Sequence, residues 1–232
     1  MWLQGEDNAP DICKACLASL RYWHPDKKII TLDQSNISDY VTLPDYIERK
    51  HNQGIIDNTK YSDLVRLQLL IEYGGTWIDS TVYCTGRSHD EYVMHLPLFV
   101  YRGDSPLHPL QPTIPISSWF IVSDPHNPIL ELTQKLQFKY WEDYDYVIHY
   151  FFFHMLFRMA ARVYIDEYSK IPFMSNNPPH AMQRAMYDDY SDESMKYLAG
   201  VSDFHKMTYK LDPCNMPSER SIYQHVIDSY AH

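Results

Sequence analysis

Asp63, Arg66 and Asp79 are the residues whose types and spacing first point to chemistry. Asp63 and Arg66 stand three apart in "YSDLVRLQLLIEYGG", so on a helix they are neighbours. A carboxylate beside a guanidinium offers acceptors and donors together, which is what vicinal hydroxyls of a polyol require. The same spacing fits a structural ion pair equally well. Asp79 is a lone acid in "TWIDSTVYC", among Trp77, Ile78, Val82 and Tyr83. A carboxylate there is costly to bury unless something meets it. Three readings stand open: a metal ligand, a sugar-nucleotide ligand, or a strand residue held by backbone amides.

These residues need elements to position them. Ser62 reads as an N-cap and Gly74 as a left-handed C-cap of a helix over 61–75. On that helix Leu64, Leu67 and Ile71 form one stripe, with Val65 and Leu69 on the far side, so it should be buried on more than one face. Gly74 and Gly75 let the chain reverse into a strand, "TWIDSTVYC". Period-two alternation there turns Trp77, Asp79, Thr81 and Tyr83 one way and Ile78, Ser80 and Val82 the other. Strands are further expected at "KKIITLD", "LFVYRG" and "ISSWFIVS", the last two divided by a Pro-rich loop. Helices are expected within Asp7–Trp23 after an opening loop, and within 36–54, 127–144 and 147–168. One more follows a loop in "SNNPPHAMQRAMYDDY", and another lies in "SERSIYQHVIDSY" with Ser218 as its cap. "VSDFHKMTYKLD" reads as a loop with room for a strand. Strands alternating with helices predict a layered α/β fold with a mixed, mainly parallel sheet. Ligands of such sheets bind beyond the carboxyl ends of the strands, where Asp79 lies.

The bulk properties narrow the class. At 232 residues, 45% of them hydrophobic, the chain suits one large α/β domain or a domain with an added lobe. A net charge of -10 argues against a general nucleic-acid or anionic-membrane surface, while leaving room for a local basic pocket. The 20 tyrosines and 5 tryptophans suit sugar contact, but ordinary cores use them too. Cys13 and Cys16 form a CxxC without a second one to complete a zinc site, and they fall in a helical stretch, so buried thiols are expected. Reduced cysteines fit a cytosolic protein. No run of eighteen apolar residues and no signal peptide stand out.

The stretch "SDLVRLQLLIEYGGTWIDSTVY" resembles the capsular polysaccharide synthesis family of glycosyltransferases, which is related to glycosyltransferase family 32. The shared pattern is S-D-x-x-R, a leucine-rich helix, Y-G-G, an aromatic strand and an Asp. "WLQGEDNAP", "SSWFIVSDPHNPI", "YFFFH" and "HKMTYK" extend it along nearly the whole chain. The resemblance implies a single GT-A-like, Rossmann-type nucleotide-sugar-binding domain over 1–232, with a nucleotide-sugar half at 1–125 and a helical acceptor or closing half at 126–232. It implies transfer of a hexose, with retention, from a nucleoside-diphosphate sugar (a UDP-sugar favoured) to an oligosaccharide or lipid-linked glycan, at the cytoplasmic side and in peripheral contact with the membrane.

Carried over residue by residue, Asp63 and Arg66 hold the donor sugar, flanked by Ser62, Gly75, Trp77 and Ile78. Asp79 is the first acid of a D-x-D motif, and Leu3, Gln4 and Gly5 lie at the nucleotide. The second acid is replaced, because the triplet is Asp79-Ser80-Thr81. Mn2+ or Mg2+ would therefore rest on Asp79, with Thr81 and His180 as further ligands and the diphosphate helping. If the metal is weak, something else must neutralise the leaving diphosphate. "HKMTYK" then offers Lys206, Tyr209 and Lys210; without the resemblance it reads as a solvated loop. Ser117, Ser118, Asp145 and His149 are acceptor candidates, with "HYFFFH" read as helical. The missing acid, and an N-terminus several strand residues shorter than in relatives, motivate an alternative: a catalytically impaired relative that binds nucleotide sugar or glycan. A phosphate-dependent hydrolase has neither a metal-ligand cluster nor a G-x-S-x-G motif behind it.

Overall fold

The computed structural model describes residues 1–87, 90–103 and 116–230. The Pro-rich loop expected between Gly103 and Ile116 lies outside the described residues. In chain order the elements are α1 (Asp11–Trp23), α2 (Asp45–Asn52), α3 (Asn58–Tyr73), β1 (Gly75–Ile78), β2 (Val82–Cys84), α4 (Asp90–Val93), β3 (Leu98–Arg102) and β4 (Ile116–Ser123). They continue with α5 (Pro128–Asp143), α6 (Phe152–Val163), α7 (Ile165–Ser169), α8 (Ala181–Arg184), α9 (Asp192–Val201), β5 (Phe204–Lys206) and α10 (Ile222–Asp228). The protein is thus mixed α/β and richer in helix than in strand.

The chain packs into two compact units, both discontinuous in sequence. The first comprises Met1–Ser35, Ile78–Tyr92 and Asn177–His232. Its core gathers Ile12, Cys13 and Cys16 of α1, Tyr83 of β2, Met182 and Met186, Leu198 of α9, Met207, and Ile222, Tyr223 and Val226 of α10. The two strands pair antiparallel, with Val82 opposite Lys206, Tyr83 opposite His205 and Cys84 opposite Phe204. Ser19 ties α1 to β2: its hydroxyl donates to the Cys16 carbonyl at 2.7 Å and accepts from the Cys84 amide at 2.9 Å. The expected strand "KKIITLD" does not form a regular ladder. Trp2 N donates to Leu32 O at 2.9 Å and Gln34 N to Leu3 O at 3.0 Å. The two contacts advance together along both segments, so those segments run side by side in the same direction.

The second unit comprises Asn36–Trp77 and Val93–Asn176. Its sheet has the order β1-β4-β3, with β3 antiparallel to β4 and an irregularity in register between Val100 and Arg102. Leu64, Val65 and Leu67 of α3 are all fully buried, so the helix is covered on several faces as its apolar pattern predicts. Each such side chain contributes about 1.5–3 kcal/mol by leaving water. The expected N-cap, Ser62, is overruled: α3 begins a turn earlier, where the Asp57 side chain accepts from the Lys60 amide, and Ser62 lies inside the helix. Gly74 does end it, at φ 66° and ψ -156°, in backbone space open to glycine rather than in the left-handed helical well. A Cβ there would lie 2.7 Å from the Pro125 ring and 2.9 Å from the Ser123 carbonyl oxygen.

Four further expectations are corrected. Among the described residues the expected mainly parallel sheet is replaced by two small sheets in which β2–β5 and β3–β4 are antiparallel. "TWIDSTVYC" is not one strand, because β1 and β2 join different sheets and Val82 N closes a turn onto Asp79 O at 3.1 Å. The helix expected over 147–168 is shorter. Residues 147–151 stay outside α6, and Ile165–Ser169 form a separate helix, α7. In the C-terminal helix the cap is Ser221, whose side chain accepts from Gln224 N; Ser218 instead gives its carbonyl to the Ser221 hydroxyl. Asn127 and Pro128 open α5 as expected.

Candidate functional site

The first unit holds a cluster built on the turn between β1 and β2. The Asp79–Val82 hydrogen bond places Asp79, Ser80 and Thr81 in a reversal. From the neighbouring strand, Met207 N donates to Thr81 O at 2.8 Å, fixing the turn against β5. Register then sets Lys206 across from Val82, with its ammonium free to reach back over the turn. Lys206 Nζ donates to Thr81 Oγ1 and lies 3.8 Å from Asp79 Oδ2 and 3.5 Å from Met207 O. Asp79 and Thr81 therefore do address one point, as alternation on a strand would have required, but a turn achieves it and the point is occupied by an ammonium.

The floor of the turn is α1. The Cys13 thiol hydrogen-bonds with the Ser80 side chain, and its pKa is pushed up to about 11, chiefly by burial. The fully buried Cys16 thiol is likewise held well above the usual thiol range by burial. These thiols are packing residues, as expected. Leu3, Gln4 and Gly5 sit in the opening turn, where Gly5 has φ 85° and donates to Trp2 O at 3.0 Å. The Tyr209 ring meets Trp2 edge-on at 5.2 Å, and Lys210 Nζ lies 5.8 Å from the Tyr209 ring.

The second unit holds Ser62, Asp63, Arg66, Gly75, Trp77 and the acceptor candidates. Arg66 Nη1 donates to Asp63 Oδ1 at 2.6 Å, and both side chains are buried. The guanidinium lies 5.0 Å from the Trp77 ring and 5.6 Å from the Phe153 ring, so it is held by charge and by two aromatic faces. Gly75 follows Gly74 at the start of β1 and Ile78 is its last residue. The acceptor candidates are dispersed. Ser117 is buried on β4 and donates to Asn176 Oδ1, while Ser118 is half-buried on the same strand. Asp145 is exposed and paired with Lys50 at 2.9 Å. His149 stands in the turn before α6, where its Nδ1 accepts from Phe151 N at 3.0 Å. Sequence reasoning missed Asn176 as the partner of Ser117 and Lys206 as the partner of Thr81. Pairings across that much chain leave no spacing signal.

A family model described as "capsular polysaccharide synthesis protein" matches residues 1–226. The chain belongs to the capsular polysaccharide synthesis family. No curated protein and no solved structure matches it. Membership ties this capsular synthesis protein to polysaccharide construction and to sugar-related substrates. The donor set around Asp79 does not fit a divalent cation. Beside the carboxylate stand an alcohol already accepting from an ammonium, and that ammonium itself. His180 is half-buried at the end of a 3-10 turn, and among the described residues no three His, Cys, Asp or Glu side chains gather as a metal site. Nor, among them, is any helix long and apolar enough to cross a membrane.

Proposed function

We propose that this capsular synthesis protein is a retaining glycosyltransferase of GT-A-like architecture, related to glycosyltransferase family 32. It moves a hexose from a nucleoside-diphosphate sugar, a UDP-sugar in the first instance, to a hydroxyl of an oligosaccharide or lipid-linked glycan, working at the cytoplasmic face of the membrane. Family membership supports the substrate class. The side-by-side run of Met1–Leu3 and Leu32–Gln34 supports the scaffold. The observation that carries the reading is the cluster of a buried Thr81 with partly exposed Asp79 and Lys206, a carboxylate for hydroxyls beside a cation for phosphate.

In this reading Asp79 orients the ribose and sugar, and Leu3–Gly5 line the nucleotide. Lys206, with Tyr209 and Lys210, faces the diphosphate. Asp63 and Arg66 are assigned to the donor sugar, with Ser62, Gly75, Trp77 and Ile78 shaping their surroundings. The acceptor hydroxyl attacks the anomeric carbon from the side of the departing diphosphate, which takes up the hydroxyl proton. Ser117, Ser118, Asp145 and His149 remain acceptor-side candidates to be tested singly.

A panel of UDP- and GDP-hexoses, read by donor hydrolysis and by transfer to glycan primers, tests the reading. At least one donor is expected to turn over, with Asp79→Ala lowering kcat about a hundredfold or more. Turnover untouched by Asp79→Ala would remove the residue assignment. Tight nucleotide binding with no turnover of any donor would favour a non-catalytic binding relative, the reading that Thr81 in place of an acid motivates.

A further inference from the structure

We infer that Lys206 is the resident cation of this site, standing in place of a divalent metal against the donor diphosphate, so that the protein works without metal. The inference rests on the glycosyltransferase reading and deepens it.

The position is structural before it is chemical. Lys206 ends β5 opposite Val82, the first residue of β2, and the next residue, Met207, is bonded through its amide to Thr81 O at 2.8 Å. The main chain on both sides of the turn thus holds the lysine stem in place. Its ammonium carries three N–H donors. Thr81 Oγ1 and Met207 O accept from it, and Asp79 Oδ2 at 3.8 Å supplies charge at slightly more than hydrogen-bond distance. Among the described residues this leaves one proton for a ligand oxygen. The two charged side chains are 21% and 28% exposed, so the ion pair is open to a ligand rather than sealed.

A divalent ion would need the same oxygens. Thr81 Oγ1 is engaged by the ammonium, and a dication within about 4 Å of Nζ meets twice the repulsion of a unit pair. The threonine and the lysine therefore belong together: a neutral oxygen replaces the second acid because the cation it faces is single and covalently tethered. In transfer, the bond from the anomeric carbon to the β-phosphate oxygen breaks and its electron pair stays on that oxygen. The acceptor oxygen bonds the anomeric carbon and its proton passes to the released diphosphate. Lys206 hydrogen-bonds the phosphate oxygens throughout and keeps its own protons.

Calorimetry of the full chain with UDP and with GDP, in EDTA and with added Mn2+, tests this independently of turnover. One of the nucleotides is expected to bind with the same affinity in both media. Lys206→Met is expected to weaken it about tenfold to a hundredfold, the loss of one charge-assisted hydrogen bond, while Lys206→Arg keeps most of it. In Lys206→Ala/Thr81→Asp, with two acids and no ammonium, binding should return only with Mn2+. Circular dichroism checks the fold of each variant; should Lys206→Met unfold, the wild-type metal titration and Lys206→Arg decide. Wild-type binding that vanishes in EDTA and returns with Mn2+, or Lys206→Met binding like wild type, would overturn the inference alone. Absence of binding by either nucleotide in both media would overturn it together with the glycosyltransferase reading.

Discussion

The Asp63 carboxylate and the Arg66 guanidinium meet at 2.6 Å with almost no exposure, and that burial governs how their role must be probed. Removing one partner of a buried pair leaves the other charged and desolvated, at a cost of about 3–5 kcal/mol. Asp63→Ala is therefore expected to lower the free energy of unfolding by that much without any substrate present. Asp63→Ala/Arg66→Met should recover most of the loss, because both charges are then gone. A double-mutant cycle by urea unfolding measures the coupling, and a coupling near zero would mean that the pair does not stabilise the fold. Only Asp63→Asn, which keeps an acceptor for Arg66, is a fair kinetic test of donor binding. The pair was legible because a helix brings residues three apart together. The Thr81–Lys206 contact spans 125 positions of sequence and depends on a strand pairing that no local pattern announces. The lysine could be nominated from its neighbourhood of basic and aromatic residues, but its partner could not.

Elements explain why local patterns succeeded in some places and failed in others. The α3 helix was readable from its apolar residues, and its end from Gly74. Its start was not, because Asp57 and Ser62 are both good caps and the earlier one satisfies the first-turn amides. "TWIDSTVYC" looked like one strand because alternation is blind to a change of sheet. The turn at Asp79 is imposed by pairing partners far along the chain. Two predictions belong at this scale. Gly74→Ala combines a positive φ with a Cβ 2.7 Å from Pro125, so a loss of about 2–4 kcal/mol is expected in thermal or urea unfolding. A loss near that of an ordinary surface Gly→Ala change would mean that the reversal relaxes freely. The second concerns β5. His205 is buried opposite Tyr83, its Nε2 lies 3.0 Å from Thr85 Oγ1, and burial lowers its pKa from 6.5 to about 4. The unfolded chain therefore binds the proton more readily than the native one. The stability of the neutral imidazole is fully present above pH 6.5 and is lost as pH falls towards 4, by about 3 kcal/mol in total. Urea midpoints across that window should fall with pH in the wild type and fall less in His205→Gln. Equal slopes would dismiss the histidine as their source.

At the scale of the molecule, the first unit is assembled from three separate stretches, whereas the second is complete by Asn176. The core under α1 draws Ile12, Cys13 and Cys16 from the first stretch, Tyr83 from the second, and Met182, Leu198, Met207, Ile222 and Val226 from the third. Composition and periodicity marked these residues as apolar, but they carry no record of which distant segment each one meets. The last stretch supplies much of the cover over the α1 face, and the cysteines under that cover make its loss measurable. Cys13, Cys16 and Cys84 are buried, and Cys214 is exposed. Thiols react through the thiolate, so burial protects Cys13 twice, by denying access and by raising its pKa to about 11. In the native full chain a thiol-disulfide reagent at mildly alkaline pH should therefore label Cys214 rapidly and the other three only on unfolding. In a chain ending at Asn176 the second unit keeps all its residues, so helical circular dichroism should persist in part. Cys13, Cys16 and Cys84 should by then react at rates close to those in urea, since the side chains that covered α1 and the strand that paired with β2 are gone. Continued protection of Cys13 in the shortened chain would show that the first two stretches bury α1 unaided. The turn at Asp79 would then be held without the strand that carries Lys206.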